Sequence, residues 1–458
     1  MYQSNADTIA AISTAPAPSA IGILRLSGPD SIRIAASCFQ PLGPRTLTDH
    51  KPRELVYGDL LDSGGQAIDR GLCTFSYGPS SYTGEDTAEF QLHGSPMVLV
   101  LGLEALFAKG ARQAGPGEFT RRAFLNGRLD LAQAEAVGDL LQAKSRESAR
   151  HSAGQLAGAL SSRIGGIYSA LVDVMAHFHA VLDYPDEDID PFRMEELGES
   201  LTAQAQVLEG LLASCRRGFL MTHGIACAIV GRPNAGKSSL LNALAGYDRA
   251  IVTNIPGTTR DTVDVNVQLG GLPFRLIDTA GLRDSADPIE QMGVERSRSA
   301  MEEADLIWVL WDGSTLFTQE DARLLETARG LAPTVLVTTK SDLAPVAGPI
   351  LPEGLSRVTI STRTGEGLEA LEAASAAFFP QKEDLPYGQL LTNQRQEEAV
   401  RRARQAVVRA GEALELGVTP DALLTDVEEA LAALGELTGQ SVREDITDRI
   451  FSKFCVGK

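Results

Sequence analysis

The sequence predicts a multidomain protein: an α+β domain over residues 1–125, an all-α helical domain in two parts, 126–222 and 381–458, and an α/β domain with a phosphate-binding loop, 223–380, inserted between those parts. Three observations carry this reading. Short apolar runs closed by turn residues fill the first segment, and Ala- and Leu-rich helical periodicity flanks the α/β segment on both sides. Between the flanks, short strands alternate with helices, the pattern of a parallel sheet covered on both faces.

Each element follows from local pattern. Residues 21–26 form an apolar run closed by Ser27-Gly28-Pro29, and residues 87–92 alternate polar with apolar, so both read as strands. Leu131, Ala134, Val137, Leu140 and Leu141 are spaced as one helical face, and this pattern runs to about residue 220, interrupted at Pro185-Asp186-Glu187-Asp188. Helices return at 397–416 and 420–437. The strands expected between the flanks are 225–230, 274–277, 306–311, 334–338 and 357–360. Neither helical flank alone supplies many helices to bury one another's apolar stripes, which makes insertion the economical arrangement.

The 458 residues carry 41 Lys plus Arg against 60 Asp plus Glu, a net charge of -19, with 43% hydrophobic residues. That composition is globular and excludes a chain coated in basic residues for general polyanion binding. Any nucleic-acid partner must be met by a local patch. Cys38, Cys73, Cys215, Cys227 and Cys455 lie far apart with no CxxC pair, so neither a disulfide framework nor a zinc ribbon fits, and a reducing compartment is expected. The pattern shows no signal peptide and no membrane span, so a cytoplasmic location is expected.

Gly231-Arg232-Pro233-Asn234-Ala235-Gly236-Lys237-Ser238 matches GxxxxGK[ST], directly after an expected strand and before a run that can open a helix. Glycines let backbone N–H groups turn toward phosphate oxygens, Lys237 can reach the β and γ phosphates, and the Ser238 hydroxyl can ligate Mg2+. Asp278-Thr279-Ala280-Gly281, Thr339-Lys340-Ser341-Asp342 and Ser361-Thr362 then arrive at strand ends in the order a GTPase needs. Asp342 can accept from the guanine N1–H and exocyclic amine, which adenine cannot satisfy. Thr339 stands where Asn is usual and offers a hydroxyl in place of an amide. Asp278 is expected to reach Mg2+ through water, and Gly281 to offer its N–H to the γ-phosphate. Leu282 occupies the position where a Ras-like enzyme orients water with Gln, and it has no polar atom for that task. Gly257-Thr258-Thr259-Arg260-Asp261 reads as a first switch, with the Thr259 hydroxyl available to Mg2+ when triphosphate orders the loop. Arg283 and Arg260 read either as arginine fingers or as surface ion pairs, and Glu290 either as a water-holding carboxylate or as a solvated helix-start residue.

The motifs at 231–239, 257–261 and 278–283, the terminal Phe454-Cys455-Val456-Gly457-Lys458, Tyr82-Thr83-Gly84-Glu85-Asp86 and the block 117–136 together resemble the MnmE/TrmE family of bacterial tRNA modification GTPases. The resemblance covers nearly the whole chain. It implies a folate-binding N-terminal domain that holds a homodimer, and a Ras-like G domain inserted in a helical domain. It also implies a K+ ion in place of an arginine finger, held by Asn234, Thr253, Ile255 and Thr258, with Glu290 orienting the attacking water. The nucleotide contacts implied are Asn234, Ala235, Gly236, Lys237, Ser238 and Ser239; Thr253, Asn254, Ile255, Pro256, Gly257, Thr258 and Thr259; Asp278, Thr279, Ala280 and Gly281; and Thr339, Lys340, Asp342, Ser361, Thr362 and Arg363.

The same resemblance implies a reduced folate, 5-formyl- or 5,10-methylenetetrahydrofolate, at Arg25, Glu89, Arg128 and Lys458, residues that would otherwise read as ordinary surface charges. The basic groups suit its carboxylates or ring carbonyls, and Glu89 suits its amino edge. Cys455 is either a nucleophile in that pocket or part of its lining. The activity expected is GTP hydrolysis coupled to modification at C5 of the tRNA wobble uridine, with an MnmG (GidA)-type FAD- and NADH-using flavoprotein in a heterotetramer. The alternative is a Ras-like ribosome-assembly or signalling switch without one-carbon chemistry, which has no need of the terminal Cys-Val-Gly-Lys. For tRNA, the basic groups singled out are Arg112, Arg121, Arg122 and Arg128, and Arg395, Arg401, Arg402, Arg404 and Arg409.

Overall fold

A computed structural model describes residues 7–143, 145–183, 191–246, 264–278, 298–344, 346, 348–349, 352–379, 386–440, 447, 450–452 and 454–457. The chain divides into two compact units, Met1–Gly138 with Ala432–Lys458, and Asp139–Leu431. Among the described residues no helix is long and apolar enough to cross a membrane.

The first unit is built on seven strands, β1 (Ile9–Ile12), β2 (Ser19–Ser27), β3 (Phe39–Pro41), β4 (Val56–Leu61), β5 (Ala67–Ser76), β6 (Thr87–Gly94) and β7 (Arg112–Gln113), in the order β3-β4-β5-β6-β2-β1-β7. Neighbours are antiparallel except β1 and β7. Successive residues of a strand face opposite sides of a sheet, so each strand serves two layers. Leu24, Leu26, Cys73, Phe75 and Phe90 point to one side, where they form a core with Ile34, Leu99 and Leu106 of helices Ser31–Cys38 and Pro96–Ala108. Ile9 and Ala11 point to the other side and pack with Ala114 and with Phe119 of helix Glu118–Leu125. Arg25, between Leu24 and Leu26, therefore faces this second layer.

The last described residues belong to the same unit. The Phe451 ring lies 6.3 Å from Phe124 and 5.7 Å from Phe454. Val456 forms a bridge with Pro116, the Gly117 N–H donates to the Cys455 carbonyl at 3.3 Å, and the Ser13 hydroxyl donates to the Gly457 carbonyl at 3.0 Å. Gly117 has φ of 64°, and a Cβ there would stand 2.7 Å from the Phe451 carbonyl oxygen, so this crossing needs glycine.

The second unit contains the α/β sheet: β8 (Ile225–Gly231), β9 (Asp264–Leu269), β10 (Leu272–Asp278), β11 (Leu306–Asp312), β12 (Thr334–Thr339) and β13 (Ser356–Thr359), in the order β13-β12-β11-β8-β10-β9. The five strands expected from the sequence are present and mutually parallel. β9 was not anticipated. It runs antiparallel to β10 through Gly270-Gly271, whose φ values of 58° and 80° suit a tight hairpin, and the alternation of Val265, Val267 and Leu269 was its sequence signal. Both faces are buried. Ile229, Trp308 and Val337 lie in one core cluster, whereas Val230, Val309 and Leu336 lie in the other.

Helices Arg146–Leu156, Ala159–Asp183, Pro191–His223 and Gln394–Glu415 belong to the helical part of this unit, as does most of helix Pro420–Thr438. Ala399, Val400, Ala403, Ala406, Val407 and Ala410 are buried at helical spacing, and their helix packs along Pro191–His223. The helix that precedes the sheet thus lies beside the helix that follows it. The returning chain is held closely: a Cβ on Gly218 would sit 2.0 Å from the Leu391 carbonyl oxygen, and one on Gly388 2.3 Å from the Gly154 carbonyl carbon. His151 Nδ1 accepts from the Gly388 N–H at 3.1 Å, Gln155 Nε2 donates to the Leu390 carbonyl at 2.7 Å, and Arg163 Nη1 donates to Gln389 Oε1 at 2.6 Å.

Burial pushes His151 down to about 4, with the Arg217 charge acting in the same direction. The folded imidazole is therefore neutral at pH values where the unfolded one, near 6.5, takes up a proton. Stability of this unit should be fully present above about pH 6.5 and fall as the pH drops toward 4, by up to roughly 3 kcal/mol. Urea unfolding followed by Trp308 and Trp311 fluorescence at pH 7.5 and pH 5 checks this, with His151→Gln expected to reduce the pH dependence.

Candidate functional site

The loop 231–236 leaves the carboxyl end of β8, the strand from which the chain moves first to β10 on one side and then to β11 on the other. Ligands of open α/β sheets bind at such a switch point. Gly231, Asn234 and Gly236 have φ of 156°, 65° and 94°, conformations that turn successive N–H groups inward above the start of helix Lys237–Gly246. Lys237 Nζ folds back over the loop and donates to the carbonyls of Gly231 at 2.6 Å and Arg232 at 3.0 Å. Ser238 and Ser239 lie exposed in the first turn of that helix. The loop and the start of the helix suit the phosphates of a guanine nucleotide with Mg2+.

The segments expected to read the base end neighbouring strands. The Thr339 hydroxyl is buried and donates to the Ala235 carbonyl at 2.8 Å, so it braces the phosphate loop against β12. Asp342 Oδ1 accepts from the Ser361 hydroxyl at 2.8 Å, while Arg363 Nη1 lies 3.7 Å from Oδ2. Thr362 follows Ser361 directly. Lys340, with φ of 59°, places Nζ 2.5 Å from Asp312 Oδ2. Burial pushes Asp312 up, but the Lys340 ammonium and two hydrogen bonds from Ser314 outweigh it and hold the carboxyl below its ordinary value. Asp312 and Ser314 escaped the sequence reading, although the end of a parallel strand beside a phosphate loop was the available signal.

Other expectations fall outside the described residues. These are Thr253, Asn254, Ile255, Pro256, Gly257, Thr258, Thr259, Arg260, Thr279, Ala280, Gly281, Leu282, Arg283, Glu290 and Lys458. Of Asp278, the last residue of β10, the backbone is described.

The first unit holds a second site. Arg25 on β2 pairs across to Glu89 on β6, with Nε donating to Oε1 at 2.7 Å. Its Cζ lies over the Tyr82 ring at 5.6 Å and the Phe119 ring at 5.7 Å. On β5, next to Glu89, the Thr74 hydroxyl oxygen is buried without a hydrogen-bond partner. Arg128 stands at the same loop, since a Cβ on Gly84, where φ is 77°, would lie 3.1 Å from Arg128 Cγ. Gly117, two residues before Phe119, carries the Cys455 carbonyl contact, and Cys455 itself is exposed. The structure thus gathers Arg25, Glu89 and Arg128 around residues 82–86 and Phe119, and brings the backbone of residues 455–457 to Ser13, Pro116 and Gly117. Sequence reading missed Tyr82 and Phe119 as partners of Arg25.

Loop 81–86 is held by a buried ion network. Arg122, 2% exposed, donates to Asp7 Oδ1 at 2.8 Å, Glu118 Oε1 at 3.0 Å and Glu85 Oε2 at 3.1 Å. Arg112 Nε reaches Asp7 Oδ2 at 2.6 Å, and its Nη2 reaches Glu118 Oε1 at 2.6 Å. Hydrogen bonds from Arg112 lead the effects that hold Asp7 below the ordinary carboxylate range, and burial of Glu118 is likewise outweighed by its two Arg partners. Ser27 adds bonds to Thr83 at 2.6 Å and to Glu85 at 2.7 Å.

This arrangement corrects the basic patches. Arg122 is buried and neutralised, and Arg112 is engaged by two carboxylates, so neither is a free phosphate contact. On helix Gln394–Glu415, Arg401 pairs with Glu397 and Glu398, Arg404 with Glu209, and Arg409 with Asp426 and Glu429. A sequence cannot distinguish an Arg facing acidic neighbours in space from one facing water.

The sheet order and the phosphate loop define a P-loop nucleotide-binding domain, carried with a second, Arg-centred candidate site. Residues 8–128 match the family description "GTP-binding protein TrmE N-terminus", and residues 131–455 match "MnmE helical domain". A protein named tRNA modification GTPase MnmE from Roseiflexus sp. is 42% identical over 464 residues, covering 99% of both chains. One of the same name from Thermus thermophilus is 44% identical over 453 residues, again covering 99% of each. A crystal structure of Era from Aquifex aeolicus bound to GDP and AlF4− is 28% identical, covers 39% of this chain and 65% of that one, and has a TM-score of 0.27. The chain belongs to the MnmE family of tRNA modification GTPases.

Replacing Thr339 by Val removes the hydroxyl that braces Ala235 while keeping its volume. Affinity for GDP should fall about tenfold, the scale of one lost buried hydrogen bond. Fluorescent-nucleotide titration of Thr339→Val against the wild type checks this.

Proposed function

We propose that this GTP hydrolase acts in modification of C5 of the tRNA wobble uridine, adding an aminomethyl or carboxymethylaminomethyl group together with an MnmG-type flavoprotein that uses FAD and NADH. The domain limits proposed are 1–125, 126–222, 223–380 and 381–458. The observation that carries the one-carbon part of the reading is the docking of residues 455–457 onto Ser13, Pro116 and Gly117, beside the layer that contains Arg25 and Phe119. A nucleotide switch alone has no use for such a contact.

A reduced folate fits this site through groups that the protein leaves unused: among the described residues, neither Nη of Arg25 nor Oε2 of Glu89 has a protein partner. Bound there, methylenetetrahydrofolate supplies the carbon. Arg25, Glu89, Arg128 and Lys458 hold and orient it, and Cys455 presents an exposed thiol at the Gly117 crossing. Toward the nucleotide, Lys237 and the loop N–H groups take the phosphates, Asp342 reads guanine, and Ser238 with Thr259 ligates Mg2+. K+ at Asn234, Thr253, Ile255 and Thr258 supplies positive charge near the developing phosphate charge, and Glu290 positions water. GTP hydrolysis drives opening and closing of the G domains.

A homodimer is part of this proposal. Met97, Val100 and Leu101 are exposed on the outer side of helix Pro96–Ala108, whose inner side is already buried, and a second copy of the N-terminal domain is the partner proposed for that apolar face. The heterotetramer with the flavoprotein is built on this dimer, and the proposed location is the cytoplasm.

Wobble-uridine analysis of tRNA from cells lacking the gene tests the function directly. Loss of the modification, restored by the wild type and not by Cys455→Ser, is expected, whereas normal wobble uridine in the deletion refutes the reading. The purified Cys455→Ser protein should hydrolyse GTP at the wild-type rate. Wild-type hydrolysis should be at least tenfold faster in KCl than in NaCl, on the scale of lost transition-state charge stabilisation, and equal rates remove the K+ assignment.

A further inference from the structure

Resting on the assignment of residues 339–342 to the base, we infer that Asp312 is a positioning residue for the nucleotide. It tethers the Lys340 ammonium and so holds the apolar stem of Lys340 as a wall for the purine face, while Asp342 reads the purine edge.

Asp312 ends β11 and Thr339 ends β12, and the two residues are partners in the parallel register. The Gly313 N–H continues the pairing by donating to the Thr339 carbonyl at 3.0 Å. The chain then turns at Lys340, whose φ of 59° is a left-handed conformation that a lysine adopts only under constraint from its surroundings. Two hydrogen bonds supply constraint: the Ser341 N–H donates to the Ile360 carbonyl at 3.1 Å, and the Leu343 N–H to the Lys340 carbonyl at 3.0 Å. With its backbone fixed in this way, the freedom left to Lys340 is that of its long side chain.

Asp312 removes that freedom. Its Oδ1 accepts from the Ser314 N–H at 3.0 Å and from the Ser314 hydroxyl at 2.6 Å, which closes a turn and fixes the carboxylate, while Oδ2 accepts from Lys340 Nζ at 2.5 Å. An ion pair between two mobile surface side chains contributes little, because ordering both offsets the attraction. Here the acid is already held by its turn, and its side chain is 15% exposed against 35% for Lys340. Only the lysine has to be ordered, and its charged end is the part that is anchored. The stem is thus fixed at both ends, next to the Thr339 hydroxyl that braces the phosphate loop. An apolar stem ordered in advance meets a ring face with little further loss of freedom on binding.

The two residues divide recognition by their chemistry. Asp342 uses Oδ1 to accept from Ser361 at 2.8 Å and, as a carboxylate, keeps acceptor capacity for the ring N–H and amino donors of guanine. Lys340 has no acceptor for those donors. It sets how tightly a purine is held, and Asp342 sets which purine.

Titration of the full chain with ribose-labelled fluorescent GDP and IDP tests this, since IDP lacks the amino group that Asp342 reads. Asp312→Asn retains an oxygen for the Ser314 turn and removes the charge, and Lys340→Met keeps an apolar stem without the ammonium. Each should raise the Kd for GDP and for IDP by the same factor, about fivefold to tenfold, the scale of one lost charge-assisted hydrogen bond. The double variant should lose no more than either single one. Losses that add in the double variant, or that fall on GDP and spare IDP, overturn the inference. Should Asp312→Asn fail to fold, Lys340→Met, altered at a partly exposed end, carries the test, and wild-type GDP affinity in it overturns the inference. Equal affinity of the wild type for GDP and IDP is a different result and defeats the base-reading assignment itself.

Discussion

A hydrogen bond from the Ser13 hydroxyl to the Gly457 carbonyl joins residues 444 positions apart, and much of the architecture depends on the contact that it represents. Because residues 455–457 pair with 13, 116 and 117, the first unit is made from both ends of the chain. Residues 139–431 are then a closed excursion from it. Within that excursion the pattern repeats: the α/β sheet leaves after helix Pro191–His223 and the chain returns to Gln394–Glu415 packed on the same helix. Closing long loops costs entropy that grows only slowly with length, so a few well-made contacts suffice to hold each closure. Gly117 and Gly218 mark where backbone approaches backbone too closely for any side chain.

The first unit also shows how a polar site is kept rigid on a sheet whose other face is an apolar core. Arg122 collects three carboxylates in an almost fully buried position, and the result is mechanical as much as energetic, since Asp7, loop 81–86 and helix Glu118–Leu125 become one body. Taking one partner from a buried ion set costs about 3–5 kcal/mol, because the remaining charge is left uncompensated. That rigidity sets Tyr82 against Arg25 without help from a ligand.

Much of this was legible in the sequence, for reasons that differ from residue to residue. The phosphate loop was legible because Gly231 and Gly236 encode the backbone conformations themselves. The stripe of Ala399, Val400, Ala403 and Val407 announced a packed helix through its spacing. β9 was passed over because its alternation is short and the Gly270-Gly271 turn was not weighed. The state of Arg122 was not legible, because its three acids come from positions 7, 85 and 118 and meet only in the fold. The Thr339 contact with Ala235, 104 positions away, was hidden for the same reason. Arg25 and Glu89 were singled out by resemblance, while the two rings over Arg25 needed coordinates.

The central proposal is that the terminal residues, 455–458, complete a folate site at Arg25, so that the two ends of the chain act as one binding surface. Deleting those four residues leaves Phe454 and its packing on Phe451 in place. The account predicts that tetrahydrofolate affinity of the truncated chain falls at least tenfold, the scale of one lost charge-assisted contact or more, while GTP hydrolysis in KCl stays at the wild-type rate. Undiminished tetrahydrofolate binding by that chain would contradict it.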